Sequence, residues 1–229
     1  MESASRIVWQ LGPLAITRTV LTTWAIMLLM AGVSWLIGRR LRPEPDRLQA
    51  AAEGVVTALA DAVRAVLPDH WERVYPFVAT LWLFIGVSNL SSLIPGVHAP
   101  TGELSATAAL AVVTFLSVHW FGVRIDGARD YLRHYLKPSP ILLPFHLIGE
   151  LTRTLALGIR LFGNMMSLEM AAVLVLLVAG LLVPVPILML HVVEAVVQAY
   201  IFGMLALVYI AGGIRSAGSP GSHEQRSGQ

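Results

Sequence analysis

Hydrophobic residues come in long runs along this chain, and the spacing of the runs is that of membrane helices rather than barrel strands. Val20 to Gly38 carries no charge, which is enough for one span over 20–38. Pro43-Glu44-Pro45 then breaks the chain. From Leu48 to Leu67 the apolar positions Leu48, Ala52, Val55, Val56, Leu59, Val63, Val66 and Leu67 share one helical face. Glu53, Asp61 and Arg64 lie elsewhere on the wheel. The segment 47–67 is too polar to span. It predicts an amphipathic helix, either lying on a membrane surface or packed on the solvent side of the bundle. Two more uncharged runs follow, 74–94, closed by Pro95-Gly96, and 104–123.

The last two runs differ from the first three. The stretch 141–183 is too long for one upright span at 1.5 Å rise per residue, and it carries Glu150, Arg153, Arg160 and Glu169. A helix so long and polar must tilt or bend, and must hide one face against protein or water. Pro184 and Pro186 mark a bend before a final helix over 186–214. The Ser- and Gly-rich tail 215–229 reads as disordered. The expected fold is an all-α integral membrane protein in one domain. It has about five membrane-embedded helices plus the amphipathic one, and the last two form a long, strongly tilted hairpin.

Composition agrees with that pattern. The 229 residues are 56% hydrophobic and 13% charged, against roughly 25% charged in soluble domains, and the mean hydropathy is +0.71. The formal net charge of +2 arises from basic residues in loops, so nucleic acid is not an expected partner and membrane lipid is. There is no cysteine, which excludes disulfide, iron–sulfur and thiolate chemistry. Arg39, Arg40 and Arg42 after the first run mark a retained span rather than a cleaved leader. The connection near residue 98 has no Lys or Arg, whereas 124–137 carries Arg124, Arg129, Arg133 and Lys137. Positive loops stay inside, which places the N-terminus outside and the C-terminus in the cytoplasm.

The ionisable groups at membrane depth carry the candidate chemistry. From Leu161 to Ile214 the formal charges are Glu169 and Glu194, joined by His191, and Arg160 stands just before. A guanidinium cannot shed its proton to escape low dielectric, and holding it there costs at least about 2.5–3.5 kcal/mol. Arg160 and Asn164 are four apart and share a helix face. Glu169 is nine residues from Arg160, so it points the opposite way and does not neutralise it. His191, Glu194 and Gln198 fall on one stripe of the last helix. If the hairpin turns near Gly180, Glu169 stands opposite His191 and Arg160 near Gln198. If it turns at the prolines, that pairing fails, and both registers stay open. Nothing in the chain obviously pairs Arg160, so its counter-charge is expected from a carboxylate of another protein that visits and leaves. The bland alternatives are polar glue between helices for Asn164 and Gln198, and a satisfied core residue for His191. His70, His119, His134 and His146 are scattered and receive no role. One His191-x-x-Glu194 pair without a second set does not make a metal site, and no cofactor is expected.

The run Leu157-Gly158-Ile159-Arg160-Leu161-Phe162-Gly163-Asn164-Met165, followed by Glu169, closely resembles the signature of subunit a of F-type rotary ATP synthases. So does the last helix, with His191 and then Gln198-Ala199-Tyr200-Ile201-Phe202. Gly149-Glu150-Leu151 and Thr101-Gly102-Glu103-Leu104 are weaker points of likeness. The resemblance implies a stator ion channel in a bacterial inner membrane, beside a ring of c subunits and held by b-type peripheral-stalk subunits. Protons or sodium ions would pass through two offset half-channels to and from the ring carboxylates. Arg160 would be the essential charge that ionises each ring carboxylate and blocks leakage, with Asn164 and Gln198 beside it. Glu169, His191 and Glu194 would line the outer half-channel with Glu103 near its mouth, and Glu150 would lie nearer the inner path. Nucleotide would be bound only by other subunits. Arg153-Thr154 where many relatives have Lys-Pro, a short N-terminus and the extra acid Glu194 point to an alternative bacterial lineage. The competing function is a stand-alone transporter or channel, but no internal repeat supports it. The zincin, serine-elbow and phosphate-loop motifs of enzymes are absent from the sequence.

Overall fold

The computed structural model describes residues 7–11, 14–39, 46–94, 97–129, 143–179 and 184–217. Within them lie a short hairpin, one 3-10 turn and six helices. The helices are α1 (Arg18–Arg39), α2 (Arg47–Val66), α3 (Trp71–Ser91), α4 (Leu104–Asp126), α5 (Leu143–Ala179) and α6 (Pro184–Ala217). The 3-10 turn is Pro100–Gly102. Five helices, all but α2, are long and apolar enough to cross a membrane. The expected disordered tail lies outside the described residues from 218 onward, and so does the turn expected near Gly180.

The pattern of runs did not anticipate the element that precedes α1. Strands β1 (Ile7–Leu11) and β2 (Leu14–Thr17) pair antiparallel, Leu11 opposite Leu14 and Gln10 opposite Ala15. Helix α1 follows directly and stays almost uncovered, with Trp24, Leu28, Leu29 and Trp35 all exposed.

At 37 residues, α5 is about 55 Å long, well beyond a hydrocarbon core of about 30 Å. It lies against α4, while α6 lies against α3 and α4. Helix α2 joins through its C-terminal half. Val63 and Leu67 are buried with Val74 and Val78 of α3 and Leu207 and Ile210 of α6, and Tyr75 donates a hydrogen bond to the Val56 carbonyl. Leu48, Val55 and Val56 of α2 stay exposed. A second cluster joins Leu81 and Ile85 of α3, Leu157 and Leu161 of α5, and Ala199, Phe202 and Ala206 of α6. Residues at steps of three and four make one buried stripe per helix.

One contact locks α3 to α6. The Trp82 indole donates to the Tyr200 carbonyl at 3.1 Å, and the two rings stack at 6.1 Å with planes 2° apart. A Cβ at Gly203 would collide with that indole, so glycine is what lets the tryptophan lie flat across α6.

The buried stripes change character along their length. On α3 the stripe runs Val74, Val78, Leu81, Ile85 and then Ser88 and Asn89. On α6, read from the far end, it runs Ile214, Ile210, Leu207, Phe202 and then Gln198, Ala195 and His191. The polar ends meet beside the 97–103 loop. Buried polar groups in such a bundle cost energy unless they are hydrogen-bonded, so this end is built for something other than packing.

Candidate functional site

Three polar levels succeed one another along the bundle. The first lies at the 97–103 loop. His191, 4% exposed, has Nε2 2.7 Å from Ser92 Oγ. The Ser92 hydroxyl gives its single hydrogen to the Asn89 carbonyl at 2.7 Å. A carbonyl only accepts, so Ser92 accepts from His191 and Nε2 carries the hydrogen. Asn89 is fully buried. Its amide donates to the Ala195 carbonyl at 3.3 Å, and its oxygen accepts from Thr101 Oγ1 at 2.6 Å. One asparagine thus ties α3, α6 and the 3-10 turn together.

Glu169, half-buried, reaches the same level from α5. A Cβ on Gly102 would stand 3.3 Å from its Oε1 and 3.5 Å from its Oε2, so the bare turn is the seat of the carboxylate. Its main electrostatic neighbour is His98 of the same loop. Next to Gly102, Glu103 accepts from Ser105 Oγ through Oε2 at 3.3 Å. Glu103 Oε1 and Ser88 Oγ are buried without a hydrogen-bond partner among the described residues, and buried polar atoms of that kind are where ordered water binds. Glu194 stands one turn from His191 on α6, is half-buried, and acts on the imidazole through its charge.

At the second level, the Asn164 amide of α5 donates to Gln198 Oε1 of α6 at 2.8 Å. That bond selects between the two registers left open by the sequence, since 164 and 198 are equidistant from residue 181. The hairpin therefore counts from near Gly180, not from the prolines. In this register Glu169 seats on Gly102 and His191 bonds Ser92.

Arg160 lies one turn from Asn164 on α5 and is exposed. Among the described residues it makes neither an ion pair nor a hydrogen bond. The buried stripe of α5 is Thr154, Leu157, Leu161 and Met165, and Arg160 lies off it. Ile159 and Leu155 beside it on α5 are exposed, as are Val193, Val196, Val197 and Tyr200 on α6. Both helices thus carry uncovered apolar residues, and on α5 an exposed cation stands among them.

The third level lies at the opposite end. Glu150 of α5 has Oε2 3.7 Å from Nε2 of His119 on α4. The sequence assigned His119 nothing. The two residues are 31 apart on different helices, and no local spacing betrays the pair. Asn89, Ser92 and Thr101 escaped for a related reason, because neutral polar residues in apolar runs have many structural explanations.

This arrangement sets protonatable groups at both ends of the bundle, an amide pair midway and an unpaired arginine at an uncovered face. Known proteins with such a chain are consistent with one another. Residues 20–211 match the family described as ATP synthase A chain. ATP synthase subunit a 2 of Pelobacter propionicus is 65% identical over 216 residues, which is 94% of this chain and 95% of that protein. ATP synthase subunit a of Legionella pneumophila strain Paris is 57% identical over 209 residues, 91% of each chain. ATP synthase subunit a 1 of Hahella chejuensis is 56% identical over 228 residues, 99% of this chain and 97% of that one. A match across nearly the whole length assigns the protein: it belongs to the ATP synthase A chain family.

Proposed function

We propose that this chain is the ion-conducting stator of a bacterial rotary ATP synthase, and that Arg160 is the fixed charge past which the rotor carboxylates move. The observation that carries this reading is the exposure of Arg160 on a span-length helix, without an ion pair among the described residues. A guanidinium facing lipid would be costly, so the surface around it must meet something anionic. A ring of c subunits, each with one membrane carboxylate, supplies that partner in turn. Beside Arg160 the carboxylate ionises, because a nearby cation favours the charged form. Away from it the carboxylate must be neutral to face lipid. Arg160 also repels any cation on a straight path across.

The polar level at the 97–103 loop serves as the outer half-channel. Glu103 stands near its mouth, Glu169 and His191 exchange protons, Glu194 adds an acid, and Asn89, Ser92 and Thr101 hold them in place. Glu150 belongs to the inner path. The ion taken here is the proton, which suits an imidazole beside a carboxylate on the path, with the sodium ion as the alternative. The chain crosses the inner membrane with its N-terminus outside and its C-terminus in the cytoplasm. It is not catalytic alone, nucleotide chemistry belongs to partner subunits, and b-type stalk subunits hold it still. It comes from an alternative synthase lineage, which the extra acid Glu194 supports. Each charge crossing 100 mV contributes about 2.3 kcal/mol, so several must pass for each ATP.

The test is ATP-driven acidification of vesicles containing the whole complex. Arg160→Lys keeps a charge but loses the planar fork and can deprotonate. Pumping is expected to fall to background while ATP hydrolysis persists. Normal pumping would overturn the role given to Arg160, and sodium uptake at constant pH would overturn the choice of ion.

A further inference from the structure

We infer that His119 is a proton carrier of the inner half-channel, acting as a pair with Glu150. The inference rests on the stator reading above and goes beyond it by naming a residue on α4, where that reading places nothing. His119 Nδ1 lies 3.0 Å from the Phe115 carbonyl. A carbonyl only accepts, so Nδ1 bears the hydrogen and the tautomer is set. Nε2 is thereby aimed at Glu150 Oε2, 3.7 Å away. The pair then has two forms that hold the same single proton: imidazolium beside carboxylate, or neutral imidazole beside carboxylic acid. Passing the proton between them needs only a small closing of the gap, with no rotation of the ring.

The surroundings suit a relay. The His119 side chain is 29% exposed and that of Glu150 19%, so water reaches both while the pair stays partly shielded. The Phe115 ring, 4.5 Å from the imidazole between centroids, restrains it. Of the charged groups on the same helices, Arg124 is turned onto the Trp120 ring and Arg153 is exposed. At this end, the facing helices contribute Glu72, Arg73 and Tyr75 from α3 and Tyr209 from α6. Glu150 is ten residues from Arg160, about 15 Å along the axis, so the pair hands its proton to water rather than to the rotor directly.

The experiment is ATP-driven pumping across a pH series in vesicles with the whole complex, for His119→Gln, Glu150→Gln and both together. Each single change is expected to slow pumping at least about fivefold, because water replaces a positioned proton carrier. The double variant should pump no worse than the weaker single one, since both remove the same step. Added imidazole should restore pumping in His119→Ala, because the site is open to water. The ATPase activity of the detached nucleotide-binding sector reports on assembly in every variant. Wild-type pumping in His119→Gln at every pH would overturn the inference, and so would multiplying losses in the double variant. If His119→Gln fails to assemble, the inference stands or falls on rescue of His119→Ala by imidazole. Arg160→Gln in the same vesicles separates the two readings: if it abolishes pumping while His119→Gln is silent, only the relay fails, and if it also pumps normally the stator reading fails too.

Discussion

At the scale of single residues, the account turns on which polar groups have partners. Arg160 has no ion pair among the described residues, whereas His191 is bonded to Ser92 and Asn164 to Gln198. An arginine is legible in a sequence because a charge is costly at membrane depth and a guanidinium cannot shed it. Asn89 was not legible, and it is the hub of the level at the 97–103 loop. Replacing Asn89 by alanine leaves the Thr101 hydroxyl without its acceptor, a loss of about 1–3 kcal/mol for a buried group. Passive proton conduction through the membrane sector stripped of its nucleotide-binding part should drop, and unchanged conduction would remove Asn89 from the path. Gly102→Ala tests the seat of Glu169. The added methyl would stand 3.3 Å from the carboxylate oxygen, so Glu169 must shift, and pumping should slow several-fold without loss of assembly.

Among the helices, hydropathy was a reliable guide because a span must be apolar along its whole length, whatever it packs against. Register was not, because Pro184 and Pro186 offered a second place to turn. Only the Asn164 to Gln198 bond decides it. The β1–β2 hairpin had a signal, since Gly12-Pro13 sits between β-branched and aromatic residues, but four- and five-residue strands carry little weight beside a long apolar run. The α3 to α6 lock gives the prediction for this scale. Gly203→Ala drives a methyl into the Trp82 indole. Overpacking of that kind costs about 1–3 kcal/mol, read as a lower melting temperature of the assembled membrane sector. Trp82→Phe in the same background should recover part of it, because the ring becomes smaller and the hydrogen bond to the Tyr200 carbonyl is given up.

On the scale of the whole molecule, the proposed function reads the separation of the polar levels as what keeps an ion path from being a leak. The loop level and the His119–Glu150 level lie at opposite ends, and the amide pair and Arg160 stand between them. A single water-filled pore would collapse the ion gradient, whereas two offset half-paths require the rotor to complete the circuit. Lipid-facing and rotor-facing surfaces look alike in one chain, since both are apolar and uncovered, but under the proposed function only the rotor would bring a carboxylate to Arg160. The chain has no cysteine, so one introduced at Ile159, 60% exposed beside Arg160, is a unique probe. It should form a disulfide with a cysteine placed next to the ring carboxylate, and oxidation should stop pumping until a thiol is added. A control cysteine at Leu116, 58% exposed on α4, should not. Cross-linking from Leu116 but not from Ile159 would put the rotor on another face and contradict the account.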